Sequence, residues 1–170
     1  MTPVRVHPLV GVIAVVAASV AVSACSMSLP SLPGASAPPP EAAPEPAALP
    51  PGFAPEEIVG RWGFSAYHKD PDRARTEAAA RGQCKQAYTI GRGPTGGVMM
   101  HLADSSQPEE LRLKGGPGGK TYIGPAGAPA GPRDREVVSF DGRVLLLRWI
   151  DPEVAGRYGT AVYVRCGPRA

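Results

Sequence analysis

The sequence of residues 53–170 predicts a mainly β fold, a small antiparallel β-barrel of about seven or eight strands with one short α-helix. Three observations predict it. Short stretches of β-forming residues are separated by glycine-rich turns, Asp141-Gly142 marks a tight hairpin, and one stretch of helix-forming residues follows the first strand. All ten aromatic residues lie between Phe53 and Tyr163, so this part can form a core. Its length of about 115 residues is typical of one domain, and a β-sandwich of the same strands is the alternative.

The first strand is predicted over residues 58–67, IVGRWGFSAY. Alternation gives it an inward face of Trp62, Phe64 and Ala66. The residues of its opposite face are Arg61, Ser65 and Tyr67.

A helix is predicted to begin at Asp70-Pro71, which reads as an N-cap followed by proline at the first helical position. Gly82 reads as the residue just past its end. The apolar face of this helix, Ala74 and Ala78, is shallow. We therefore expect the helix to lie on a sheet surface or to plug one end of the barrel.

The remaining strands are predicted over residues 86–90, 97–103, 110–114, 120–123, 136–140, 143–150 and 160–166. The hairpin at Asp141-Gly142 is predicted to turn through a type I′ turn. Alternation then assigns one set of side chains to the core: Val138, Phe140, Leu145, Leu147 and Trp149. The opposite face comprises Val137, Ser139, Leu146 and Arg148. The stretch 124–133 is predicted to be a flexible loop.

The N-terminal segment has the pattern of an export signal. An apolar run from Leu9 to Ala24 follows a short basic start with Arg5, and sixteen apolar residues are fewer than the roughly 20 that a spanning helix needs. Val22-Ser23-Ala24-Cys25 resembles the lipobox of bacterial lipoproteins. That resemblance implies a leader over residues 1–24, a lipid on Cys25 and, through Ser26, a place in the outer membrane, anchored by the lipid.

Residues 25–52 are predicted to be a disordered tether. They are rich in proline, alanine and serine and contain no aromatic residue, so they cannot bury enough apolar surface to form a core.

With Cys25 assigned to the lipid by that resemblance, Cys84 and Cys166 remain. An even pair in an exported, oxidising compartment predicts a disulfide. A redox or metal-binding pair is the alternative, against which stand the absence of a CxxC motif and the shortage of histidine.

Charge and motifs exclude several classes of function. The net charge of +3 is spread without a basic stripe, so we predict no nucleic-acid partner. GGPGGKT at residues 115–121 fails the phosphate-loop pattern, because Lys114 stands where it needs glycine and a strand follows, so a hairpin loop is predicted. Residues 133–136 alternate in sign and are predicted to be a charged strand edge that discourages aggregation.

No residue has the setting of a catalytic group. His101 is predicted to be a solvent-facing strand residue, and His68 lies beside the helix start. Ser65 lacks the second glycine of a nucleophile elbow. We therefore predict a non-enzymatic protein without a cofactor or metal.

The order of lipobox, tether and a domain opening with Gly60-x-Trp62 resembles the lipid-anchored Inh-type protease inhibitors and, for the barrel, the lipocalins. The lipocalin resemblance implies that Trp62 packs near a late arginine, for which Arg165 is available. The inhibitor resemblance implies an N-terminal segment that enters a protease active site. Its candidate residues here are Phe53, Ala54, Pro55, Glu56 and Glu57.

The leading hypothesis is a lipid-anchored envelope lipoprotein whose barrel is a binding module for a protein, peptidoglycan or another envelope component. The first alternative is inhibition of a protease or lysozyme. The second is carriage of a small apolar ligand. The barrel interior is predicted to be filled by side chains, which argues against a ligand carrier. These side chains are Trp62, Phe64, Phe140 and Trp149.

Overall fold

The computed structural model describes residues 48–167, which form a closed barrel of eight antiparallel strands. Each strand pairs with the next, and the last pairs with the first. The strands are β1 Gly60–Tyr67, β2 Tyr88–Arg92, β3 Val98–His101, β4 Pro108–Gly115, β5 Thr121–Gly124, β6 Arg135–Phe140, β7 Val144–Trp149 and β8 Thr160–Arg165. The α-helices are α1 Arg73–Gly82 and α2 Pro152–Tyr158. The predicted fold class is confirmed, and the barrel alternative is the correct one.

The predicted leader, the lipid attachment site Cys25 and the tether as far as residue 47 lie outside the described residues. Within residues 48–167, neither helix is long and apolar enough to cross a membrane.

The barrel has two different ends. We call the end with the β2–β3, β4–β5 and β6–β7 hairpins the closed end, and the other, where β1, β3, β5 and β7 finish, the open end. The β4–β5 connection is the hairpin loop predicted for residues 115–121, and the N–H of Gly116 donates to the carbonyl of Lys120 at 2.8 Å.

The closed end is filled by Trp62 and its neighbours. Trp62 is fully buried, its indole N–H donates to the carbonyl of Ile58 at 2.8 Å, and the guanidinium of Arg165 lies 4.1 Å from its ring centroid. Trp62 and Arg165 are directly paired across β1 and β8, so their side chains point to the same face. The contact between the tryptophan and a late arginine, which the lipocalin resemblance implied, is confirmed.

The chain reaches β1 along the closed end. Leu49 forms an isolated bridge to Gly115, and the N–H of Gly52 donates to Thr121 Oγ1 at 2.8 Å. Phe53 then packs on Phe140, with ring centroids 4.5 Å apart.

Helix α1 lies on the outside of the barrel, across β1 and β8, so the sheet-surface alternative is correct. Under it is a second apolar cluster of Tyr67, Ala80, Leu146, Val162 and Val164. The predicted helix face was wrong, because Ala74 and Ala78 are exposed and Thr76 and Ala80 are buried. Glycine at position 63 permits the close approach, since a Cβ there would lie 1.9 Å from the carbonyl oxygen of Ala80.

The disulfide predicted between Cys84 and Cys166 is present, with Cα atoms 5.5 Å apart. Cys84 lies in the 3-10 turn Gln83–Gln86 that follows α1, and Cys166 directly follows β8. The bridge therefore fastens the outer helix to the strand that closes the barrel.

The β6–β7 hairpin differs from its prediction. A β-bulge lies between Val137 and Ser139, so Val137 packs against the core and Val138 is 41 % exposed, the reverse of the predicted alternation. The turn is not type I′, because of its two central residues only Gly142 has a positive φ. Instead the Asp141 carboxylate accepts the N–H groups of residues 143 and 144 at 2.8 and 2.7 Å. These bonds lower the pKa of Asp141.

The predicted inward face of β1 is buried only at the closed end. Phe64 is 43 % exposed and Ala66 is exposed, whereas Tyr67 on the opposite face is buried under α1. Four aromatic residues therefore do not fill the whole barrel: Trp62 and Phe140 pack at the closed end, and Phe64 and Trp149 line a cavity at the open end.

Candidate functional site

The open end of the barrel contains a cavity of about 410 Å³. Small-molecule sites are commonly clefts of roughly 300–1,000 Å³, so this volume suits a small ligand. We call it the open-end cavity. Its lining residues are Phe64, Ala66, Tyr88, His101, Leu102, Ala103, Asp104, Ser105, Arg135, Trp149, Tyr158, Ala161 and Tyr163.

Aromatic rings form most of the apolar wall. The ring of Phe64 lies 5.0 Å from that of Tyr163 and 6.2 Å from that of Tyr88, centroid to centroid. The rings of Trp149 and Tyr158 lie 6.4 Å apart. Phe64 and Tyr158 each leave more than 40 % of their surface exposed. Exposed aromatic surface in a concave site is typical of places that bind an apolar group.

His101 is held by Tyr88. The Tyr88 hydroxyl accepts the backbone N–H of His101 at 2.9 Å and lies 3.2 Å from the Nδ1 atom of the same residue. These two contacts hold the His101 side chain against the wall of the cavity. The predicted solvent-facing histidine is therefore wrong, and His101 is a half-buried wall residue.

Tyr163 supplies a buried hydroxyl. Burial raises its pKa to about 12, and the positive charge of Arg135 opposes that rise. Burial likewise raises the pKa of Tyr88. Tyr163 therefore stays protonated near neutral pH, and its hydroxyl oxygen accepts a hydrogen bond from the Arg135 side chain, which has only donor groups.

Arg135 is the unusual residue of the cavity. Its side chain is inside the barrel and only 2 % of its surface is exposed. The guanidinium lies 4.9 Å from the ring centroid of Trp149, and Nη2 lies 3.8 Å from the sulfur of Met100. The Nε atom is buried without a hydrogen-bond partner. Most buried arginines are paired with a carboxylate, so this setting calls for an explanation.

The carboxylates on either side of Arg135 in sequence are already neutralised. Asp134 is 1 % exposed and pairs with Lys114 at 2.6 Å. Glu136 pairs with Arg148 at 2.9 Å and with Lys120 at 3.0 Å, and both contacts lower its pKa. Strand alternation turns both acids away from the barrel interior that Arg135 faces. Within residues 48–167, no carboxylate forms an ion pair with Arg135.

The charged strand edge predicted for residues 133–136 is wrong. A closed barrel has no free edge, because β6 is paired on both sides. Of these four residues only Arg133 is exposed, and it pairs with Glu109 at 3.3 Å. Asp134 instead anchors the β5–β6 loop, since its carboxylate accepts the N–H of Gly131 at 3.0 Å.

The mouth of the cavity is bordered by a polar contact between the β3–β4 loop and α2. Asp104 accepts two hydrogen bonds from Arg157, at 3.1 and 2.8 Å, and one from the hydroxyl of Tyr158. The bonds from Tyr158 and Arg157 lower the pKa of Asp104. We call these three residues the mouth clasp.

A second concavity, of about 1,090 Å³, is an open groove outside the barrel beside the disulfide. Four arginines line it: Arg61, Arg81, Arg143 and Arg165. Arg61 donates to the carbonyl of Cys84 at 3.3 Å, and Arg165 packs on Trp62. Among the described residues that line this groove, no buried side-chain nitrogen or oxygen lacks a hydrogen-bond partner. The open-end cavity is therefore the better candidate site.

The candidate partner-binding segment, residues 53–57, lies at the closed end. Phe53 packs on Phe140, Pro55–Glu57 form a 3-10 turn, and Glu57 accepts the N–H of Ala54 at 3.0 Å. Ala54 and Glu56 are exposed. The structure does not bring this segment near the open-end cavity, and its role in partner binding stays a prediction, as does the lipid on Cys25.

No three His, Cys, Asp or Glu side chains within the described range converge in a way that could bind a metal ion. No protein-family model, curated protein or solved structure gives a significant match to the chain. The site must therefore be interpreted from its own chemistry.

Sequence reasoning missed Arg135, Tyr88 and Tyr163 as members of one site. The sequence contained one sign of Arg135's position: it lies two residues before the apolar Val137, so both side chains point to the inward face of β6. The bulge at Val138 hid that phase.

Proposed function

We propose that this protein is a lipid-anchored lipoprotein of a bacterial cell envelope whose barrel binds a small ligand with an apolar body in the open-end cavity. The observation that carries the binding proposal is the unfilled, aromatic-lined space of about 410 Å³ in a barrel whose other end is packed. Transfer of apolar ligand surface from water to an aromatic-lined cavity is favourable.

The envelope part of the proposal is supported by the sequence of the first 25 residues, whose apolar run and Val22-Ser23-Ala24-Cys25 element fit an acylated export signal. The Cys84–Cys166 bridge supports it too, because disulfides persist in oxidising compartments. Metabolic labelling with palmitate tests this part. Label should enter the wild-type protein and be absent from Cys25→Ser, and an unlabelled wild-type protein would overturn it.

The binding part is tested by native mass spectrometry of the protein purified from its own cells, where we expect a retained small molecule. Ala66 is exposed at the cavity wall, so Ala66→Trp should fill the space and abolish retention without disturbing the core. Ala78→Trp on the exposed face of α1 is the matched control and should retain the ligand. Equal retention by both variants would place the ligand elsewhere.

A further inference from the structure

The charge inside the open-end cavity restricts the ligand that it can bind. Arg135 is 2 % exposed, its Nε atom has no hydrogen-bond partner, and no carboxylate within residues 48–167 forms an ion pair with it. A buried cation without a counter-ion is costly, whereas one that meets an anion with good geometry is stabilised. An anionic group on the ligand would supply the missing partner.

A carboxylate suits this position better than a more highly charged group. The planar guanidinium pairs with a planar carboxylate through two parallel hydrogen bonds. Among the lining residues within the described range 48–167, Arg135 is the single arginine or lysine, which matches one negative charge on the ligand. The protonated hydroxyl of Tyr163 lies on the same wall, accepts from Arg135 and still has its own proton to donate to a ligand.

The remaining walls determine the rest of the ligand and its direction. Phe64, Trp149 and Tyr158 present aromatic surface between Arg135 and solvent, which suits an apolar body. At the mouth, Asp104 and Arg157 neutralise each other, so this contact offers no unpaired cation to a second anionic group. A ligand with one charged end is therefore favoured with that end inside.

On the basis of the proposed function, we propose that the open-end cavity binds a monocarboxylate with an apolar body, its carboxylate paired with Arg135 and its apolar part against Phe64 and Trp149. A single buried guanidinium without a protein counter-ion thus selects the ligand class.

Isothermal titration of the full-length protein in nanodiscs, with empty nanodiscs as the reference, compares decanoate with decanol. The two probes share an apolar chain and differ in charge. Charge-assisted hydrogen bonds at a buried site correspond to about tenfold to hundredfold in affinity. We expect decanoate to bind more tightly than decanol by that factor.

Arg135→Met then removes the charge while keeping an apolar side chain. It should lower decanoate affinity about tenfold to hundredfold and leave decanol affinity unchanged. Arg135→Lys keeps the positive charge but loses the planar guanidinium, so it should retain part of the preference for decanoate over decanol. The matched control is Arg148→Met, which changes an exposed arginine of β7. It should bind both probes as the wild type does.

The outcomes separate this inference from the proposed function. Equal affinity of the wild type for the two probes, or an unchanged preference in Arg135→Met, would overturn the carboxylate assignment and leave the cavity as a site for neutral apolar ligands. Absence of binding for both probes would overturn both proposals. If Arg135→Met does not fold, the affinities of the wild type and of Arg135→Lys for decanoate and decanol still test the carboxylate assignment.

Discussion

Removing the charge of Arg135 should stabilise the barrel in the absence of ligand. An ion that is taken out of water costs several kcal/mol even after relaxation of the protein, and this guanidinium is 2 % exposed without a carboxylate partner in the described chain. The cation–π contact with Trp149, at 4.9 Å, offsets about 2 kcal/mol of this cost when desolvated, and the hydrogen bond to the Tyr163 hydroxyl offsets a further part. The cost of burying the charge exceeds what these contacts offset. We therefore expect Arg135→Met to raise the free energy of unfolding by about 1–3 kcal/mol.

Urea unfolding followed by circular dichroism measures this change. We expect a higher midpoint with an unchanged slope, because the mutation does not alter the surface exposed on unfolding. Arg148→Met loses only an exposed ion pair with Glu136 and should shift stability by no more than about 1 kcal/mol. A marked loss of stability in Arg135→Met would refute the reasoning, since it would mean that the protein itself satisfies the buried charge.

Three further predictions concern the framework of the barrel. The double variant Cys84→Ser/Cys166→Ser should lose about 4.5 kcal/mol of stability in urea, because the bridge spans 82 residues of chain, and a midpoint equal to that of the wild type would contradict this. Gly63→Ala should cost about 1–3 kcal/mol in the same assay by pushing α1 off the barrel, whereas Gly82→Ala, with open space around its Cβ, should not destabilise. The pKa of Asp104 is lowered in the folded protein, so its contacts with α2 stabilise the fold fully above 3.8, the ordinary pKa of an aspartate. The contacts are lost as the pH falls through the lower pKa of Asp104 in the folded protein. A proton NMR titration of Tyr158 should follow this loss, and a Tyr158 signal that stays constant in acid would disprove it.

The barrel could be predicted because its signals are local. Strand segments separated by glycine-rich turns and a single helix between Asp70-Pro71 and Gly82 specify the order of elements. The contact of Trp62 with Arg165 followed from a resemblance, and pairing across β1 and β8 explains it.

Helix α2 was missed although it begins with the same signal as the predicted helix. Asp151 caps it by accepting the N–H groups of Glu153 and Val154 at 2.9 and 3.0 Å, and Pro152 occupies the first turn. At seven residues it is too short to show a helical period in the sequence.

The cavity could not be predicted because it depends on non-local facts. One extra residue at Val138 reverses which side chains of β6 face inward, and a bulge leaves no clear mark in the sequence. Burial of Arg135 follows from that reversal and from barrel closure. Alternating charges along a chain are usually solvated. Here Asp134 instead anchors the β5–β6 loop, and Arg135 lies inside the barrel.

The route of the chain into the barrel gives the molecule a direction. Leu49, Gly52 and Phe53 run along the hairpin end, whereas the open-end cavity lies at the opposite pole. The described chain therefore enters the barrel on the side away from the cavity, and its residues 49–53 leave the mouth open to solvent.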